Sequence, residues 1–198
     1  SAVATVGRGI KRLGQLLVVL AVLVGLYYAV GGHLVHEIDA DPAFAAEVVA
    51  PDGGSALVAT MAGLLRREVD QHGWVANDPP VFPSHFLDDM AHYQRALLAS
   101  TRAMTDRLAA AADPPAALTE AAERLAAPAD LWTFDPAAGF APQKASESHF
   151  REAADALARF NGELAAGTAT LSLDAATTAD VVRGFAETTH AAKSWKQE

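Results

Sequence analysis

From residue 13 to residue 32 the chain reads LGQLLVVLAVLVGLYYAVGG, twenty residues with no charge and one strongly polar side chain, Gln15. At 1.5 Å per residue a helix of this length spans about 30 Å, the thickness of a bilayer's hydrocarbon core. The pattern predicts a transmembrane helix over 13–32, followed by a linker over 33–54. Beyond it the apolar positions take helical spacing. Leu57, Val58, Met61, Leu64, Leu65 and Val69 predict a helix over 55–72, with Ser55 as N-cap and Gly73 as its stop. Met90, Tyr93, Leu97, Thr101, Met104 and Leu108 predict a long helix over 88–112. Asp88 and Asp89 suit the positive end of its dipole. Leu118 and Leu125 mark a shorter helix over 116–127, and Phe150, Leu157, Phe160 and Leu164 one over 146–166 that Gly167 ends. Asp174 is expected to cap a last helix reaching 196, with Val181, Phe185 and Trp195 on one face.

Two proline-bearing segments, 73–84 and 128–145, interrupt these helices. Their aromatic residues Trp74, Phe82, Trp132 and Phe140 are expected to plug into the core, and any left exposed would mark a protein-binding patch. Residues 168–173 alternate like a strand but have no partner strand, so they are read as extended linker. The fold expected is all-α: one N-terminal transmembrane helix, then an antiparallel bundle of four to five helices over 55–198.

Charge orients this arrangement. Arg8, Lys11 and Arg12 are the only charged residues before Glu37. The remaining 12 basic residues stand against all 24 acidic ones, a net of −12 after the span. The positive-inside rule places the 1–12 tail in the cytoplasm and the helical domain outside, which in a Gram-negative cell is the periplasm. The long apolar run, with no small-x-small cleavage site after it, favours a retained anchor over a signal peptide. An acidic domain repels phosphate backbones, so nucleic acid is not expected as a partner. The chain has no cysteine, which excludes disulfides, thiolate metal sites and cysteine nucleophiles.

The stretch from 73 to 98, GWVANDPPVFPSHFLDDMAHYQRALL, resembles a bacterial family of single-pass membrane proteins catalogued as domain of unknown function 2333. The matching residues are Trp74, Asn77, Asp78, Leu87, Asp88 and Met90, whereas Asp89 and Ala91 stand where that family usually has Asn and Pro. Weaker matches fall at Trp132, Pro142, 146–157 and 173–180. The resemblance implies a bacterial envelope location and a helical fold, and it carries no activity, cofactor or catalytic residue.

Few residues promise chemistry. Asp88 and His92 are four apart on one helix face, and with Asp89 they form the best candidate for a metal or a proton relay. A third ligand such as His85 would have to come from the fold, and the acids are equally explained as helix-start residues. His33, His36 and Glu37 share a face at the end of the span and read as a solvated boundary. Asn77 and Asp78 read as a turn. Within the span, Ala21 and Gly25 form a small-xxx-small pair that lets another helix approach, and Tyr27 and Tyr28 suit the interface.

The expectation is therefore a non-enzymatic, membrane-anchored interaction protein without a cofactor. It would be an accessory or structural subunit of a bacterial inner-membrane complex, with integral membrane subunits and the bilayer as its partners. Its contact residues would be Ala21, Gly25, Tyr27, Tyr28, Trp74, Asn77, Asp78, Phe82 and Trp132. The alternatives are an envelope enzyme or metal-dependent factor centred on Asp88, Asp89 and His92, and a ligand-binding bundle with a deep apolar pocket.

Overall fold

The computed structural model describes residues 2–35, 43–79, 81–86, 88–110, 113–134, 139 and 141–171. The helix expected over 174–196, together with His36, Glu37, Leu87 and Phe140, lies outside the described residues. Helix α1 (Ala2–Val35) runs past both ends of the predicted span. Within it, Gly9–Leu34 is 26 residues long with a mean hydropathy of 2.2, long and apolar enough to cross a membrane. None of its apolar window is buried against the rest of the chain.

After α1 come a short helix α2 (Phe44–Glu47) and α3 (Ala56–Arg66). A π-helical turn (Arg67–His72) continues α3, and a 3-10 turn (Pro83–Phe86) precedes α4 (Asp88–Ala109). Helices α5 (Ala116–Leu125) and α6 (Ser146–Ala165) complete the domain. The described residues contain no strand, only a lone bridge between Phe134 and Pro142.

Helix α6 is the centre of the bundle. Phe150, Ala153, Ala154, Ala156, Leu157 and Phe160 are all fully buried, too wide a face for one neighbour. Helix α3 packs on one side of it and α5 on the other, and α4 packs against α5. Polar pairs reveal the directions. Ser55 meets Asn161, Arg66 meets Asp155, and Asp70 meets Arg151, so α3 rises where α6 falls. Glu120–Arg159 and Arg124–Glu152 give the same antiparallel sense for α5 and α6. These exposed ion pairs fix register more than they add stability. The small alanine faces let the helices come close while the phenylalanines fill the gaps.

Local signals explain the helix ends. The Ser55 hydroxyl accepts from the Val58 N–H at 3.4 Å, as an N-cap does. Gly73 at φ +78°, ψ 145° and Gly167 at φ +71° take positive-φ conformations that glycine adopts without a Cβ penalty where these helices end. The long α4 departs from the expected stripe. Its buried line runs through Met90, Gln94, Leu98, Thr101, Met104, Thr105 and Leu108, while Tyr93 and Leu97 are half-buried. The hydroxyls of Thr101 and Thr105 donate to the carbonyls four residues back, so these polar groups enter the core satisfied.

Two segments behave differently from their sequence reading. Part of the expected linker folds onto α3: Phe44 and Val48 sit so close to Gly63 that a Cβ there would meet each at 3.3 Å. Trp74 is a core plug as expected, 3% exposed, with its ring edge 4.7 Å from Phe150 and its Nε1 donating to the Ala129 carbonyl at 2.8 Å. Phe82 is not a plug, because it is 47% exposed. Its loop is held instead by Ser84, which donates to the Asp78 carboxylate, and by Pro83. Pro83 packs on Gly31 of α1, where any Cβ would overlap its ring. Four residues earlier the Tyr27 hydroxyl donates to the Val81 carbonyl at 3.0 Å. The last turns of α1 are thus seated on the domain.

Candidate functional site

The described parts of the 73–86 loop, the start of α4 and the 130–132 segment enclose an open cleft of about 510 Å³. Asn77, Asp78, His85, His92, Arg95 and Trp132 are among the residues that line it. The cleft's floor is built by tertiary hydrogen bonds. Asn77, 6% exposed, does not cap its own turn. Its Nδ2 donates to the Leu131 carbonyl at 2.8 Å and to the Glu147 carboxylate at 3.0 Å, tying the loop to the start of α6. The Ser146 hydroxyl accepts from the Leu131 N–H and donates to the Pro128 carbonyl, both at 2.9 Å. Arg95 donates to the Ala76 carbonyl at 2.8 Å, and His85 Nδ1 lies 2.7 Å from the Asp78 carbonyl.

Burial raises the Asp78 carboxyl above the usual carboxylate range, and the nearby Glu147 charge pushes the same way. The Ser84 hydrogen bond and His85 oppose the shift without cancelling it. The sign of its effect on stability follows. The folded state takes the proton more readily than the unfolded chain, so the charged Asp78 weakens the fold above its folded pKa. That cost fades as pH falls through this value. Asp78→Asn, which keeps an acceptor for Ser84, is expected to raise the unfolding midpoint near neutral pH. Urea melts in acid should show the advantage shrinking.

The cleft offers two imidazoles, a guanidinium, two carboxylates (Asp78 and Asp130) and the half-buried indole of Trp132. His85 and His92 both line the cleft, but among the described residues no three His, Asp or Glu side chains gather to hold a metal. Asp89 is exposed on the first turn of α4, and the Asp88 side chain lies outside the described residues. A second cleft of about 630 Å³ opens at the far end of the bundle, between Leu108, Pro114, Phe160 and Leu171. Among the described residues both clefts are partly open and lined by polar as well as apolar side chains.

Of the contact residues expected from sequence, Asn77, Asp78 and Trp132 converge on this cleft. Trp74 is buried behind it, so its contribution is to hold the loop. Phe82 and Val81 are exposed and do not line it, the Val81 carbonyl lying beside Tyr27 near the end of α1, while Ala21, Gly25 and Tyr27 lie exposed along α1.

Sequence reasoning missed a buried polar cluster next to the cleft. The π-helical turn carries Arg67 and Glu68 inward at 4% and 0% exposure. Arg67 Nε donates to Glu68 at 3.3 Å and Nη2 to the Tyr93 hydroxyl at 3.0 Å, while the guanidinium stacks 4.4 Å from the Phe44 ring centre. Gln94 donates to Glu68 at 3.3 Å and to the Gly73 carbonyl at 2.8 Å, and accepts from the Val75 N–H at 2.9 Å. Gln94 thereby fixes where the chain leaves the π turn and enters the cleft loop. The available signal was the adjacent Arg-Glu pair inside an apolar helix pattern.

No protein-family model, curated protein or solved structure matches this chain.

Proposed function

We propose that the chain is a single-pass protein of the bacterial inner membrane, with a cytoplasmic N-terminus and a periplasmic helical domain. In this reading it serves as an accessory or structural subunit of a membrane-protein complex. One observation carries it: α1 is seated on the domain through Gly31–Pro83 and Tyr27–Val81. A helix that merely tethers an enzyme needs no such seat. A subunit that must present one face to a membrane partner does, because a fixed attitude removes ordering cost from assembly. The charge split across α1 supports the orientation. The cleft supplies the contact face, with Trp132 as the aromatic anchor and Arg95, His92 and Asp78 as polar neighbours.

Purification of the full chain from its native membranes in mild detergent tests the reading. The expected result is co-migration with one or more integral membrane chains, weakened by Trp132→Ala with Arg95→Ala. Recovery of an isolated monomer under those conditions would count against it.

A further inference from the structure

We propose that the loop around Val81 and Phe82 is a second membrane contact, inserted at the boundary between headgroups and acyl chains of the outer leaflet. The inference rests on the reading of α1 as a membrane span.

The placement follows from the seat of α1. The Val81 carbonyl receives the Tyr27 hydroxyl at 3.0 Å, and Pro83 lies against Gly31. Tyr27 precedes the end of the 13–32 apolar run by five residues, about 7–8 Å along the helix axis. With Lys11 and Arg12 at the cytoplasmic boundary, those twenty residues fill the hydrocarbon core. The loop therefore hangs at the outer edge of the core and not in the water above it.

The chemistry agrees with the placement. Val81 is 65% exposed and Phe82 47%, two adjacent apolar side chains left largely uncovered, whereas Phe150 and Phe160 on α6 are fully buried. The run PPVFPS over 79–84 holds no charge in a domain of strongly acidic balance. Insertion needs no anionic lipid, since an apolar wedge at this depth gains from leaving water alone. The loop's exposed apolar surface is continuous with that of α1, where Tyr27 and Val30 are about half exposed. The bilayer that covers one covers the other. Gln94 and the Asp78–Ser84 bond hold the loop from the domain side, so insertion also pins the domain's tilt.

The absence of cysteine makes the chain a clean background for labelling. Nitroxide labels would be placed by Val81→Cys, Phe82→Cys, the mid-span Leu20→Cys and Thr119→Cys on the exposed face of α5. Each full-length variant is reconstituted in phosphatidylcholine nanodiscs after circular dichroism confirms its helicity. Accessibility to oxygen is compared with accessibility to a water-soluble nickel complex. Labels at 81, 82 and 20 should show an oxygen-to-nickel ratio several-fold above that at 119. If 81 and 82 match 119 while 20 is lipid-shielded, the second contact is refuted and the anchor stands. If 20 also matches 119, the anchor reading falls and takes this inference with it. Shielding of 81 and 82 from both reagents would overturn the proposal in favour of a protein cover, such as a second copy of the chain.

Discussion

Replacing Glu68 with alanine is expected to cost the folded domain about 3–5 kcal/mol, the usual penalty for stranding one member of a buried ion pair. Glu68 has no exposed surface, and it faces Arg67, Gln94 and His72 at 3.3–3.4 Å. Removing the carboxylate takes away the buried charge that the Arg67 guanidinium, itself 4% exposed, meets at 3.3 Å. Urea unfolding of the full chain in detergent, followed by tryptophan fluorescence, measures the loss. Glu68→Gln should lose less, because an amide can still accept from Gln94. The double change Arg67→Leu with Glu68→Leu should recover much of the deficit, since a buried pair contributes little over well-packed apolar side chains. An equal loss in Glu68→Ala and in the double variant would mean that the turn's geometry, and not charge, sets the cost.

That cluster also shows why some of the fold was legible in the sequence and some was not. Helix existence follows from apolar spacing and caps, which are local. Ser55, Gly73 and Gly167 mark ends that the structure places where expected, and α5 and α6 start at the predicted residues, Ala116 and Ser146. Apolar spacing is blind to buried polar residues. It put Tyr93 and Leu97 on the core line of α4, but Gln94 and Leu98 occupy it, because Gln94 is needed by the Gly73 carbonyl and the Val75 N–H. Those partners come from a loop that no helical pattern describes.

Loop residues were harder for the same reason. Trp74 and Phe82 look alike in sequence, two aromatics flanking prolines. One finds Phe150 and the Ala129 carbonyl, and the other stays 47% exposed. Asn77 and Asp78 read as a simple turn, and Asp78 N–H does donate to the Val75 carbonyl at 3.1 Å. The Asn77 side chain, however, serves the 131 segment and α6, a role set by residues 54 and 70 positions away. The cleft is thus a product of tertiary contacts, and only its components, not their convergence, were visible along the chain.

Phe150→Ala is expected to remove about 3–5 kcal/mol, the range for emptying a phenylalanine site in a core. Phe150 is fully buried on the central helix and is touched by α6's neighbours and by the Trp74 ring at 4.7 Å. The surrounding alanines are too short to collapse into the space, so the cavity would persist. The consequence should reach beyond stability. Trp74 loses the ring it leans on and keeps its hydrogen bond to Ala129, worth about 1 kcal/mol, and what remains of its core packing. Trp74 stands three residues before Asn77, so a loosened indole frees the cleft's floor. Below its unfolding transition the variant should show red-shifted tryptophan emission and faster amide exchange over 74–78, while α5 and the C-terminal half of α6 stay protected. Phe150→Leu, which fills most of the volume, should restore protection in the loop before it restores full stability. If exchange rises equally across the bundle, the loop is coupled to the whole core, and Trp74 is not the link between packing and the site.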